Sequence, residues 1–299
     1  MGLLDGRVVI VTGGGRGLGR AHCFELARLG ATVVVNDLGV GDDLGPAAEV
    51  VAEIESAGGR AVPDTTSVTD FAGVGRLVTR TVADLGRLDA IVNNAGILRD
   101  RLIAAMEEAE FDLVVGVHLK GTFNLTRHAC AHWKAEAKAG RQGTGRVVNT
   151  TSGSGLFGNI GQANYGAAKA AIASLTTITA MEMERYGVTA NAVSPVARTR
   201  MTEALPVMQR AEAAGWDRYD PANTSPVVAW LCSEEAGWLS GAVLRVEGNA
   251  VQRLRPWEVD ASSTFRGSPG CAVDAATVGR GLRTAFGAFP TGLPAPVGG

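Results

Sequence analysis

Short unbroken apolar runs alternate along this chain with longer stretches in which apolar residues return every three or four positions. Val8-Val9-Ile10-Val11 and Thr32-Val33-Val34-Val35-Asn36 are runs of the first kind. Continuous β-branched runs suit parallel strands buried on both faces. Between them, Ala21, Phe24, Leu26, Ala27 and Leu29 follow helical spacing. The alternation continues and predicts further strands near Arg60–Asp64, Ala90–Asn93, Arg146–Thr150, Thr189–Ser194 and Val243–Glu247. Helices are predicted near Pro46–Ala57, Asp70–Leu85, Glu107–Ala137, Ala163–Tyr186 and Pro226–Cys232. Such a pattern builds an α/β fold, a single Rossmann-type doubly wound parallel sheet of about seven strands. In the order 3-2-1-4-5-6-7, any site lies outside the carboxyl ends of the strands.

The pattern stops near residue 250. Residues 1–250 read as one domain and 251–299 as a C-terminal extension, with one short helical stretch at Asp274–Phe286. The Gly/Pro-rich end lacks the apolar content for a core of its own, and its last fifteen residues read as a frayed tail. Hydrophobic residues make up 46 % of the 299, enough to fill a buried sheet. The net charge of −2 marks no extended nucleic-acid surface. Cys23, Cys130, Cys232 and Cys271 form no C-x-x-C pair and read as thiols in a reducing compartment. With no apolar leader, no run long enough to cross a membrane and no peroxisomal address in Val-Gly-Gly, a soluble cytoplasmic protein is expected.

The first strand runs directly into Thr12-Gly13-Gly14-Gly15-Arg16-Gly17-Leu18-Gly19 and a helix. Glycines at such a turn let the backbone approach a pyrophosphate resting on the helix N-terminus. The spacing is G-x-x-x-G-x-G, and a glycine-rich turn without a ligand is the weaker reading because strand, turn and helix come in order. Asp37 ends the second strand, where a carboxylate accepts hydrogen bonds from ribose hydroxyls and repels a 2′-phosphate. Arg16 pulls the other way. The carboxylate sits at the ribose itself, so NAD is favoured over NADP.

Tyr165 and Lys169 are one turn apart on one predicted helix face, with Ser152 upstream in Thr150-Thr151-Ser152-Gly153-Ser154-Gly155. An ammonium beside a phenol favours phenolate, and a phenol tuned in this way can exchange the proton of a carbinol. Taken alone, the pair also fits a solvated helix face.

Gly13/Gly17/Gly19, Asn93-Asn94-Ala95-Gly96, Ser152 and Tyr165/Lys169 together resemble the short-chain dehydrogenase/reductase superfamily over about residues 5–250. The resemblance implies that Tyr165 is the acid/base and that Lys169 lowers its pKa and holds the nicotinamide ribose. It implies that Ser152 orients the substrate oxygen. Asn93, Ala95, Gly96, Thr66, Ser67 and Pro195 would line the cofactor. Val35-Asn36-Asp37-Leu38-Gly39, Val117-His118-Leu119-Lys120-Gly121-Thr122-Phe123, Gly158-Asn159-Ile160-Gly161-Gln162-Ala163-Asn164-Tyr165 and Pro195–Thr202 look like the (3R)-hydroxyacyl-CoA dehydrogenase domain of peroxisomal multifunctional enzymes of type 2 and its stand-alone bacterial relatives. This implies oxidation of a 3-hydroxyacyl-CoA with NAD. The alternative is a 17-hydroxysteroid or other secondary alcohol as substrate, and a third reading is an NAD-binding regulatory protein with impaired catalysis. A homotetramer or homodimer on the 107–137 and 163–186 helices is implied too. The Arg255-Pro-Trp257 region is similar to that domain's extension.

The chain departs from the superfamily pattern at three points. His118 stands where an Asn usually anchors a relay water, and a packed histidine and a proton carrier are equally open readings. Thr66 replaces the acid that usually meets the adenine amine, with Asp64 two residues off register. Pro195-Val196 replaces Pro-Gly, stiffening a turn. Residues 198–223 occupy the place of the substrate lid. Leu205, Val207, Met208, Trp216 and Tyr219 offer an apolar surface there, or ordinary loop packing. Arg198, Arg200 and Arg210 pair with CoA phosphates or are simply solvated. His128 and His132 share a helix face, but no third ligand is evident, so no metal is expected.

Overall fold

The computed structural model describes residues 2–38, 44–141, 144–198, 216–255, 264–266, 273 and 275–286. Five strands form as the runs above require: β1 (Val8–Thr12), β2 (Thr32–Asn36), β3 (Arg60–Asp64), β4 (Ala90–Asn93) and β5 (Arg146–Thr150). They are followed by β6 (Thr189–Val196), β7 (Val243–Glu247) and β8 (Ala250–Leu254). The sheet order is β3-β2-β1-β4-β5-β6-β7-β8. The first seven strands are parallel, as expected, and β8 adds an antiparallel edge.

The eighth strand falls where the sequence reading begins the extension. Gly248 at φ 55° and Asn249 make a two-residue turn that folds β8 back on β7. Such turns need positive φ, which glycine takes at no steric cost. Pro63 is accommodated in β3 because that strand is the other edge, where a missing N–H breaks no inner ladder.

Side chains of β1 alternate between two cores. Val9 and Val11 pack with α1 (Gly17–Arg28), α2 (Gly45–Ser56) and α8 (Ser225–Leu231). Val8 and Ile10 pack with α3 (Phe71–Leu85), α5 (Gly121–Lys138) and α7 (Ala163–Met183). Burying each such Val or Ile stabilises the fold by about 1.5–3 kcal/mol, which is why strands covered on both faces read as unbroken apolar runs.

The single helix predicted at 107–137 is in fact α4 (Glu108–Val115) and α5, joined by a π turn at Gly116–Lys120. The widened turn carries His118 into the interior, 1 % exposed. A five-residue helix α6 (Gly153–Phe157) is capped by Ser152, and of the two compact units, residues 1–254 and 255–299, the second holds α9 (Ala275–Phe286). Among the described residues no helix is long and apolar enough to cross a membrane.

Candidate active site

The glycine turn is shaped by contacts that exclude side chains. Gly13 has φ 64°, and a Cβ there would lie 2.8 Å from the Ala95 Cα. A Cβ on Gly19 would lie 2.0 Å from the Gly13 carbonyl oxygen. Asn94 ties the loop after β4 to this turn, its Nδ2 donating to the carbonyls of Thr12 and Gly13 at 3.1 and 3.2 Å. Thr12 Oγ1 accepts from the N–H groups of Asn94 and Ala95. Arg16 caps α1 without a side-chain hydrogen bond, and the first turn of α1 carries no acidic residue. Its first N–H groups are therefore left for an anion.

Asp37 closes the turn from β2: Oδ2 accepts from the Gly15 N–H at 2.8 Å. Arg16 is exposed, and Leu18 is half-buried. An apposed glycine turn, an uncapped helix start and a carboxylate at the end of β2 fit a dinucleotide.

Several of the other expected cofactor residues are hydrogen-bonded within the protein. Asn93 is buried, its Nδ2 donating to Asn149 Oδ1 at 2.8 Å and Thr126 Oγ1 at 3.0 Å. Asn149 donates in turn to Thr176 Oγ1 at 2.8 Å, so this amide chain braces β4 and β5 against α7. Thr66 is bound through its N–H to Asp64 Oδ1 (2.9 Å) and through Oγ1 to Asp64 Oδ2 (3.2 Å). Asp64 also accepts from Asn36 Nδ2 at 2.7 Å and pairs with Arg80, which explains why a carboxylate tolerates burial there and leaves it no role towards an adenine. Ser67 Oγ lies 2.9 Å from Thr69 Oγ1. Pro195 is half-buried near the end of β6, opposite Val246 of β7, and Gly96 and Ala95 flank the turn.

Ser152, Tyr165 and Lys169 converge beyond the carboxyl end of β5. Ser152 is the N-cap of α6, its hydroxyl accepting from the Ser154 N–H at 3.2 Å. Lys169 is buried, with Nζ 5.6 Å from the centre of the Tyr165 ring and 2.6 Å from the Thr150 carbonyl. Burial lowers the Lys169 pKa to about 7. Burial is the larger influence on the phenol that Lys169 is expected to tune. Burial pushes Tyr165 above its ordinary value, a hydrogen bond with Ser152 acts against that, and the Asp100 carboxylate adds to it. A lysine that is itself desolvated is only partly charged at neutral pH, so its pull on the phenol is weak.

His118 meets the Tyr165 ring edge-on at 5.1 Å. Its Nε2 lies 2.8 Å from the Ile97 carbonyl oxygen and 3.0 Å from the Ile97 nitrogen, while Nδ1 is buried without a partner. Either neutral tautomer satisfies one of the two Ile97 groups and leaves Nδ1 unpaired. Burial, with the nearby Lys169 charge, lowers its pKa to about 3, so the ring is neutral.

Several features went unread in the sequence. Leu102 and Ile103, Phe157 at the end of α6, and Ile160 before Tyr165 are exposed, Ile103 by 81 % and Ile160 by 87 %. Such apolar exposure has no period by which sequence inspection would find it. Of the predicted lid, residues 199–215 lie outside the described residues, and with them Leu205, Val207, Met208, Arg200 and Arg210. Tyr219 is buried, Trp216 is half-exposed, and Arg198 pairs with Asp217 at 2.7 Å. His128 Nε2 is 2.9 Å from the Phe71 carbonyl oxygen, and no group of three metal-ligating side chains occurs among the described residues. Cys23, Cys130 and Cys232 are free thiols, and Cys271 lies outside the described residues.

Comparison with known proteins gives a match to the short chain dehydrogenase family over residues 7–210. The chain is 44 % identical over 260 residues to the hydroxyacyl-CoA dehydrogenase ChsB1 of Mycobacterium tuberculosis, covering 85 % of this chain and 81 % of that protein. It is 41 % identical over 260 residues to the peroxisomal multifunctional enzyme type 2 of Mus musculus, covering 85 % of this chain but only 33 % of that longer protein. Among solved structures, a short chain dehydrogenase from Mycobacterium avium superposes with a TM-score of 0.87 at 46 % identity, covering 95 % of this chain and 96 % of that one.

Proposed function

The chain belongs to the short chain dehydrogenase family, and we propose that this oxidoreductase interconverts a 3-hydroxyacyl-CoA and its 3-oxoacyl-CoA, with NAD as the partner. The observation that carries the reading is the convergence of Ser152, Tyr165 and a buried Lys169. The Ser152 hydroxyl and the Tyr165 phenol hold the carbinol oxygen, and Tyr165 takes its proton as the phenolate that a protonated Lys169 favours. Lys169, fixed by the Thr150 carbonyl, holds the nicotinamide ribose and supplies positive charge when protonated. A bound nicotinamide supplies the hydride acceptor. His118, a neutral ring bonded through Nε2 to Ile97, braces the loop after β4.

The preference for NAD over NADP rests on Asp37, a carboxylate fixed by the Gly15 N–H that would meet the adenosine ribose and repel a 2′-phosphate. Gly13, Gly17, Leu18 and Gly19 take the pyrophosphate on the start of α1, and Ala95 and Gly96 flank it from the loop after β4. Arg16, exposed at the N-cap of α1, would add positive charge beside the pyrophosphate.

The substrate class rests on the names of the two relatives above and on the apolar rim of Leu102, Ile103, Phe157 and Ile160. That rim also suits a steroid, which makes a 17-hydroxysteroid the second reading. Exposed Phe111, Phe123 and Ile178 on α4, α5 and α7 are the faces through which copies of the chain assemble.

The test is appearance of reduced nicotinamide on incubation with (3R)-hydroxyacyl-CoA thioesters of several chain lengths, and separately with a 17-hydroxysteroid. Thioester turnover that is lost in Tyr165→Phe supports the assignment. Steroid-only turnover replaces it with the second reading. Tight NAD binding without turnover on any alcohol overturns the enzyme reading.

A further inference from the structure

Tyr165 sits at the start of α7, and the residue before it is Asn164, whose side chain is entirely buried. A buried primary amide is costly unless both of its ends are paired. Here both are. Oδ1 accepts from the Tyr165 N–H at 2.7 Å, and Nδ2 donates to the Arg99 carbonyl at 2.9 Å and the Glu110 carbonyl at 3.3 Å. The N-cap residue of α7, Gln162, gives no side-chain cap, so Asn164 satisfies a donor of the first turn that the helix leaves open.

The Arg99 carbonyl belongs to a strap, residues 97–101, that continues directly from Ala95-Gly96. The strap is pinned at four of its five residues. Ile97 is held by His118, and Arg99 by Asn164. The Asp100 carboxylate accepts from Gln162 Nε2 at 2.9 Å. The Arg101 N–H donates to the Gly161 carbonyl at 2.7 Å, and Arg101 pairs through Nε with Glu110. Every pin except the Arg101–Glu110 pair comes from the π turn beneath Tyr165 or from residues 161–164 just before it. Asn164 is fully buried, as His118 is, and among the described residues it alone of the pins is bonded to the strap, to α4 and to Tyr165 itself.

We propose that Asn164 is a positioning residue: its amide fixes the first turn of α7 to the 97–101 strap and so sets the Tyr165 phenol relative to the cofactor turn. The inference rests on the reading of Tyr165 as the acid/base. A nucleophile or base displaced by about 1 Å loses about a hundredfold in rate, so a device that fixes this distance acts on kcat. The charged and titratable groups facing the phenol are Lys169 from α7, His118 from the π turn, Asp100 from the strap and the Ser152 hydroxyl. If the phenol shifts, its balance among them shifts too.

The experiment compares Asn164→Ala, Asn164→Asp, Gln162→Ala and Tyr165→Phe in the full-length protein. It measures kcat, KM for NAD, the pH profile of kcat, and thermal stability. Asn164→Asp keeps the acceptor for the Tyr165 N–H and removes both donors, so it separates the strap from the helix cap. Gln162→Ala removes a partly exposed pin and keeps the fold. We expect kcat to fall about tenfold to a hundredfold in both Asn164 variants, with KM for NAD little changed and the alkaline limb of the profile displaced. Gln162→Ala shows a smaller fall in the same sense. Unchanged kcat and pH profile in Asn164→Asp, with only a lower melting temperature, would overturn the inference, as would an effect confined to KM for NAD. If Asn164→Ala fails to fold, an unaltered kcat and pH profile in Gln162→Ala and Asn164→Asp still overturn it. Retained turnover in Tyr165→Phe defeats the reading of the site itself, and is told apart because no Asn164 variant is needed to see it.

Discussion

Lys169 is the residue at which stability and chemistry oppose each other. Its pKa is lowered from 10.5 to about 7 by burial, so below neutral pH a charged amine sits desolvated in the fold. The folded pKa lies beneath the unfolded one. The cost is therefore fully present below about pH 7 and disappears as pH rises towards the unfolded value. Replacing Lys169 by Met removes several kcal/mol of penalty and leaves the Thr150 carbonyl without its donor, a loss of about 1–3 kcal/mol. We expect Lys169→Met to melt higher than the native chain at neutral pH, with the gain shrinking as pH rises above about 7, while turnover falls about a hundredfold or more. Equal melting temperatures at neutral pH would show that the amine is not desolvated. Asp37 makes a second residue-level prediction. Asp37→Ala removes both the Gly15 acceptor and the repulsion of a 2′-phosphate, so KM for NAD should rise about tenfold while KM for NADP falls. Kinetics with both cofactors decide it, and a parallel rise in the two constants would mean that only the turn had loosened. The glycine turn, Ser152, Tyr165 and Lys169 were legible in the sequence because backbone approach and acid/base chemistry restrict residue type. The engagement of Asn93 and Asp64 was not, because which partner satisfies a buried amide or carboxylate depends on strands brought together from distant sequence.

At the scale of elements, β2–β5 and β7 were located residue for residue, and the inner β2, β4 and β5 most directly, since burial on both faces leaves few residue types possible. Two elements escaped. The β7–β8 hairpin is signalled by Gly248-Asn249, but β8 is exposed at its first four positions and carries no apolar run. The π turn was hidden because one extra residue in a helical repeat shifts the apolar face without breaking it. That turn has a price in packing which Gly96 meets. A Cβ on Gly96 would lie 2.2 Å from His118 Cε1 and 3.0 Å from both ring nitrogens. Gly96→Ala must therefore move the ring or the loop after β4, at about 1–3 kcal/mol. The variant should bind NAD more weakly and lose turnover, and Gly96→Ala combined with His118→Ala should regain part of the lost stability. Denaturation midpoints of the two single variants and the double variant check this. Additive losses would show that the ring and the glycine are not in contact.

At the scale of the whole molecule, two buried neutral imidazoles stand on opposite sides of the sheet. His22 on α1 has Nδ1 2.9 Å from Ser225 Oγ at the start of α8, and His118 holds the strap behind Tyr165. Burial lowers both pKa values from 6.5 to about 3. Between those limits the unfolded chain binds two protons that the folded chain refuses, so stability rises with pH over that range and is lost as the solution is acidified below about pH 6. Each site contributes a slope approaching about 1.4 kcal/mol per pH unit. Because the two sites are far apart and share no partner, their contributions should add. Urea midpoints measured in steps across the mildly acidic range should therefore fall steeply in the native chain and about half as steeply in His22→Gln or His118→Asn. A native midpoint that stays level until the carboxylate range, about pH 4, would mean that water reaches the imidazoles and that neither core is as dry as its packing implies.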